Sequence, residues 1–126
     1  MQIGELAARS GMSLNTLRHY DEVGLVSPSR RSPGGFRLYS EEDLTRLLLI
    51  RRMKPLGYGL EEMRALLEVV DRLAASSGPD AAALRGELDD VLAGARERRA
   101  RLARTLEMAD EFVSLLEDHA RAPASG

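Results

Sequence analysis

The stretch Ile3-Gly4-Glu5-Leu6-Ala7-Ala8-Arg9-Ser10-Gly11-Met12-Ser13-Leu14-Asn15-Thr16-Leu17-Arg18-His19-Tyr20 decides the fold. Ile3, Leu6, Ala7 and Ser10 recur at the spacing of one helix face, and Gly11 follows as a stop. Ser13 offers a side-chain oxygen to cap a second helix, which carries Leu14, Leu17 and His19-Tyr20 and ends at Gly24. Two short helices joined by the turn Ser10-Gly11-Met12-Ser13 make a helix-turn-helix pattern, whose second helix suits a DNA major groove. Helical hairpins with a glycine turn occur in many folds, so the flanking segments must settle the reading.

Directly downstream, Leu25 to Tyr39 contains β-capable ends around a turn rich in Pro, Gly and Ser. Arg30, Arg31 and Arg37 decorate it, together with Phe36 and Tyr39. A basic hairpin after a helix-turn-helix reads as a wing; the plainer alternative is a solvated loop that happens to be basic. Ser40 then caps a helix with Asp43 at its third position, and that helix runs through Ile50 and Met53 until Pro55 and Gly57 break it. The link Leu56-Gly57-Tyr58-Gly59 is a tight turn displaying one tyrosine, and another helix opens near Leu60 with Glu61 and Glu62 in its first turn. Leu44, Leu47, Leu48, Met63, Leu66 and Leu67 are expected in the core.

Ala74-Ala75-Ser76-Ser77-Gly78-Pro79-Asp80 reads as a linker, followed by a helix of about forty residues, longer than most globular helices. Leu88, Ala95, Leu102, Ala109 and Leu116 step by seven, and Arg85, Leu92, Arg99, Leu106 and Val113 form the companion series. Two apolar series over four heptads predict a coiled coil, with Arg85 and Arg99 either weakening the seam or meeting acidic residues of a partner. Forty helical residues span roughly 60 Å, far longer than a domain of about 75 residues, so the seam is expected to pair with a second copy rather than fold back. The residues alone leave the strand sense of that pair open.

Composition narrows the functional classes. The chain has 126 residues and net charge −2, but residues 1–64 carry ten basic and eight acidic groups, and the remainder carries eight and twelve. A locally basic N-terminal half is compatible with phosphate binding, because counterion release depends on local cations. There is no cysteine, and His19 and His119 lie 100 residues apart, so no metal site and no cofactor are expected. No apolar run approaches the roughly 20 residues a membrane span needs, and the N-terminus lacks the order of a signal peptide. A cytoplasmic protein without a membrane partner is expected.

With these elements in this order, the chain resembles the MerR family of bacterial transcription regulators. The resemblance rests on Ile3-Gly4-Glu5-Leu6-Ala7, on Thr16-Leu17-Arg18-His19-Tyr20-Asp21-Glu22-Val23-Gly24-Leu25, on Phe36-Arg37-Leu38-Tyr39 and on Leu56-Gly57-Tyr58-Gly59-Leu60-Glu61-Glu62. It implies a mainly α fold: a winged helix-turn-helix DNA-binding domain with a small β-hairpin wing over 1–76, an antiparallel coiled-coil dimerisation helix over 77–120, and a disordered tail over 121–126. By the resemblance, Ser13, Thr16, Arg18, His19 and Tyr20 face DNA from the recognition helix, with Arg18 on a base edge or on a phosphate, and Tyr20 on the backbone unless its ring belongs to the core. Arg37 and Tyr39 do so from the wing, with Arg30 and Arg31 as further phosphate contacts, and Tyr58 from a second wing. Phe36 is expected to pack the wing against the helices. Leu88, Leu92, Ala95, Leu102, Leu106, Ala109, Val113 and Leu116 are the expected dimer contacts.

The implied partners are double-stranded DNA carrying an inverted repeat in a promoter, a second copy, and RNA polymerase. The implied action is bending and untwisting of the promoter spacer. The cysteines of metal-sensing members and the extra domain of drug-sensing members are missing, so a small-molecule inducer is possible but not indicated. Two other readings remain at this point: a protein-interaction module on the same scaffold, as in chaperone modulators, and an architectural DNA binder. The basic and aromatic set disfavours the first, and the long terminal helix disfavours the second. No nucleophile, phosphate loop or acid–base constellation points to an enzyme.

Overall fold

The computed structural model describes residues 1–123; the end of the expected tail, residues 124–126, lies outside the described residues. In chain order the elements are α1 (Ile3–Ser10), α2 (Leu14–Glu22), β1 (Arg30–Arg31), β2 (Arg37–Leu38), α3 (Glu41–Met53), a 3-10 turn (Lys54–Leu56), α4 (Leu60–Ala75) and α5 (Pro79–Arg121). The fold is mainly helical, with one two-stranded antiparallel hairpin and a long C-terminal helix. Two compact units divide between Leu84 and Arg85, inside α5.

The local signals act where their chemistry requires. Gly11 closes α1 at φ 72°, a left-handed conformation that costs a residue with a Cβ more than it costs glycine. The Ser13 hydroxyl accepts from the Thr16 amide at 3.1 Å and so caps α2. Ser40 and Asp43 form a reciprocal capping box at the start of α3. The expected linker is narrower than 74–80: Ala74 and Ala75 are good helix formers and stay in α4, leaving only residues 76–78 between helices.

The first unit has one core. Leu6 and Leu17 from the first two helices meet Leu44, Leu47, Ile50 and Met53 of α3 and Met63 and Leu67 of α4. Leu48 and Leu66 pack against it half-buried. Leu25 and Val26 are not strand residues, as the hairpin reading expected. Their amides donate to the Tyr20 carbonyl at 2.9 and 3.3 Å, which turns the chain off α2, and their side chains are buried in the core.

Two arginines from later helices hold the helix-turn-helix. Arg51 of α3 donates to the Ser10 carbonyl at 3.3 Å, at the end of α1. Arg64 of α4 donates to the Val23 and Gly24 carbonyls at 2.8 and 2.9 Å, just beyond α2. A cation at a helix C-terminus satisfies orphan carbonyls and complements the helix dipole. Arg64→Ala is therefore expected to destabilise the fold by about 1–2 kcal/mol, read as a lowered midpoint in urea unfolding with an unchanged slope. An unchanged midpoint would mean that water replaces the guanidinium at no cost.

In the second unit α5 continues as an uninterrupted helix to Arg121. Leu92, Leu102, Leu106, Val113 and Leu116 of the expected seam are exposed, as are Met108, Phe112 and Leu115 beside it. Leu88 and Ala95 are half-buried, and Ala109 is exposed.

Candidate nucleic-acid interface

The surface is built on α2, a nine-residue helix with two faces. Leu17 and Tyr20, three residues apart, turn inward to the core, which leaves Asn15, Arg18, His19 and Glu22 exposed. Arg18 has no ion-pair partner among the described residues, so its five donors stay available to an incoming acceptor. Ser13 is exposed and Thr16 half-buried, and the two are joined by a hydroxyl–hydroxyl bond of 2.9 Å in addition to the cap.

The wing is minimal, with Arg30 opposite Leu38 and Arg31 opposite Arg37. Two arginines facing each other across a ladder would repel, and Asp21 of α2 relieves this. Its Oδ2 accepts from Arg37 Nε at 2.8 Å and lies 4.0 Å from an Arg31 nitrogen. The hydrogen bond to Asp21 raises the Arg37 guanidinium above its ordinary pKa, against a smaller opposing effect of desolvation. Asp21 thus docks the wing on the recognition helix, and Arg37 is held rather than free. Arg30 stays exposed.

A second anchor lies where the wing begins. Asp43 Oδ2 accepts from the Ser40 amide and the Ser29 hydroxyl, both at 2.8 Å, and its Oδ1 accepts from Arg46 at 2.9 Å. This carboxylate is buried, at 2% exposure, yet well supplied with donors. Beyond the wing, the Tyr39 amide donates to the Met1 carbonyl at 2.7 Å while the terminal ammonium of Met1 donates to the Tyr39 carbonyl. Arg9 of α1 and Glu41 of α3 add a two-pronged surface pair at 2.7 and 2.9 Å.

Three aromatic positions differ from the sequence expectation. Tyr20 and Tyr39, expected to face DNA, are core residues at 5% and 3% exposure. The Tyr39 hydroxyl is buried with no hydrogen-bond partner, and burial, reinforced by Asp21, raises its pKa above the usual phenol value. Tyrosine has an apolar body and a polar tip, so the helix period that brings Leu17 inward brings Tyr20 with it. Phe36 does not pack the wing onto the helices: it is 63% exposed, folded over Gly34 at the hairpin tip. A two-residue ladder is too short to carry its ring back to the core. Tyr58 is half-buried in the left-handed turn after Gly57 and packs against the core edge.

The structure therefore brings α2 and the wing together through Asp21, which sequence reasoning passed over. An acidic residue at the end of a helix before a basic hairpin was the available signal, and nothing in its spacing marks it. The sequence marks Asp43 as a capping partner, and nothing in it marks the bonds to Ser29 and Arg46. Among the described residues no group of three His, Cys, Asp or Glu side chains could hold a metal ion. No helix among them is long and apolar enough to cross a membrane.

A family profile described as MerR HTH family regulatory protein matches residues 1–69. The mercuric resistance operon regulatory protein of Bacillus cereus is 44% identical over 71 residues, which cover 56% of this chain and 54% of that protein. The heavy metal-dependent transcription regulator 2 of Rhizobium meliloti strain 1021 is 37% identical over 100 residues, covering 77% of this chain and 68% of its own length. The chain thus spans little more than half of the first relative. Among solved structures, the N-terminal part of the Bacillus subtilis multidrug transporter activator, MtaN, aligns over 97% of this chain and 99% of its own, with 28% identity and a TM-score of 0.57.

Proposed function

The chain belongs to the MerR HTH family of regulatory proteins and is a DNA-binding transcription regulator, and from that premise we propose that it works as a homodimer on an inverted-repeat promoter operator. Residues 1–76 form the winged helix-turn-helix part of each subunit, and residues 77–120 form the dimerisation helix. α2 enters the major groove, where Arg18 makes the two-pronged contact to guanine O6 and N7 that an arginine fork suits. Ser13, Thr16 and His19 border that contact, and Arg30, Arg31 and Arg37 meet the backbone from the wing. Tyr58 lies on a turn suited to phosphate further along the duplex. Tyr20 and Tyr39 contribute by fixing the positions of α2 and the wing from within the core.

The observation that carries this reading is Arg18, exposed and unpaired on the outer face of a helix whose neighbouring wing arginine is already tied down by Asp21. A dimer reads two half-sites on one face of the duplex, and its two rigidly docked wings can hold DNA bent and untwisted, at a cost of a few kcal/mol recovered from added contacts. RNA polymerase then meets the reshaped promoter, in the cytoplasm. No inducer pocket is needed for this action.

Arg18→Ala is expected to weaken binding to the cognate inverted repeat roughly tenfold to a hundredfold, the worth of about 1–3 kcal/mol of base recognition. Binding to unrelated DNA at the same salt is expected to stay nearly constant. Gel-shift titration on both sequences checks this. Equal losses on the two would reduce Arg18 to a phosphate clamp, and no binding by the parent protein to any fragment would overturn the reading.

A further inference from the structure

We infer that the first turn of α2 reads adenine and thymine: Asn15 takes an adenine and Leu14 covers the methyl group of a neighbouring thymine, beside the guanine assigned to Arg18. The inference rests on the DNA-binding reading above and extends it to part of the operator sequence. Asn15 lies about 140–160° around the helix from both Leu17 and Tyr20, the two side chains that α2 buries, so it holds the middle of the outer face. It is exposed, and its carboxamide forms no hydrogen bond among the described residues. Leu14 precedes it at 40% exposure. Among the described residues of the first unit, Leu14 and Phe36 at the wing tip are the large apolar side chains left exposed. Neither Leu14 nor Asn15 belongs to the core cluster, and the helix cap is already supplied by Ser13.

The chemistry of the two side chains assigns the bases. A carboxamide carries an acceptor and a donor side by side, and of the four bases only adenine answers with a donor and an acceptor, N6 and N7, on its major-groove edge. Asn15 Oδ1 accepts from N6 while Nδ2 donates to N7. Guanine presents two acceptors, which suits the Arg18 fork, and cytosine a single donor. Leu14 has no polar atom to offer, and the apolar feature of the groove is the thymine methyl. Asn15 and Arg18 stand about 4.5 Å apart along the helix axis, against about 3.4 Å between stacked bases. The adenine and the guanine therefore lie one or two steps apart in each half-site. Charge decides which end of α2 goes deep. Asp21 and Glu22 stand at its C-terminal end, where carboxylates resist a close approach to phosphate. The first turn carries no acidic residue and presents the positive end of the helix dipole.

Selection of sites from randomised duplex DNA by the full-length protein, followed by sequencing, tests the assignment. The parent is expected to enrich a repeat whose half-sites carry adenine one or two steps from guanine, with thymine beside the adenine. Asn15→Ala is expected to keep the guanine and lose the adenine preference, with roughly tenfold weaker binding to the parent's best site. Altered bases in that site identify the contacts. Replacing the adenine by 7-deazaadenine, which lacks N7, is expected to weaken the parent severalfold and Asn15→Ala not at all. Replacing the thymine by deoxyuridine, which lacks the methyl group, is expected to separate the parent from Leu14→Ala in the same way. An adenine preference unchanged in Asn15→Ala, or equal losses by both proteins on 7-deazaadenine, would overturn the assignment to Asn15. Equal losses on deoxyuridine would overturn the one to Leu14. A parent that enriches no sequence removes the sequence-specific regulator itself, whereas a parent that selects sites without such an adenine removes only this inference.

Discussion

Leu106→Glu is expected to leave a well-folded chain that no longer dimerises. Leu106 is 62% exposed in the single chain, so its replacement disturbs nothing inside the subunit. In the proposed dimer it lies in the apolar seam of each chain, so one substitution removes two leucines and adds two carboxylates. Losing two buried leucines alone costs about 3–6 kcal/mol, a rise in the dimer dissociation constant of roughly a hundredfold to ten-thousandfold. Sedimentation equilibrium reads that change, and far-UV circular dichroism reads the retained helix. Operator affinity should fall with it, because a dimer holds its second half-site at high effective concentration and a monomer does not. A Leu106→Glu protein that still sediments as a dimer would show that α5 is not the dimer contact.

Asp43→Ala is expected to cost about 3 kcal/mol of stability. The buried carboxylate receives the Ser40 amide, the Ser29 hydroxyl and the Arg46 guanidinium. Alanine leaves the Ser40 amide without its acceptor, removes half of the capping box, and takes from Arg46 one of its two carboxylates, leaving Asp71 at 3.0 Å. For a unit of this size the thermal midpoint should drop by roughly 12–20 °C. Asp43→Asn can still accept at one oxygen but weakens the bond to Arg46, which Asp71 continues to balance, so about half of the loss should return. Because Ser29 directly precedes β1, the Asp43→Ala wing should also exchange its amide hydrogens faster. A midpoint within a degree or two of the parent would show that the network is a surface arrangement without energetic weight.

What the sequence made legible was local chemistry. Ser13 and Ser40 are caps because a hydroxyl before a helix has amides to accept from, and Gly11 and Gly57 stop helices because they adopt left-handed backbone. Leu44, Leu47, Met63 and Leu67 follow from helical period alone. The family was legible because four such local patterns stand in one order. The remainder depends on contacts between residues far apart in the chain. Arg64 reaches the end of α2 across 41 positions, Arg51 reaches α1 across 41, and Asp21 reaches the wing across 16. No periodicity encodes those pairings. Tyrosine is ambiguous for another reason, since its residue type suits both a wet surface and a core. The backbone placed Tyr20 and Tyr39 inside and left Phe36 out.

The two guanidinium grips on the helix-turn-helix have a consequence for portability. Each of its helices ends on carbonyls that Arg51 or Arg64 satisfies from a later helix, so the motif is not a detachable cassette. A specificity transplant that moved residues 1–39 onto a foreign scaffold would leave both grips behind. The smallest transferable unit extends through α4, and engineering a new operator preference is better done by changing the outer face of α2 in place.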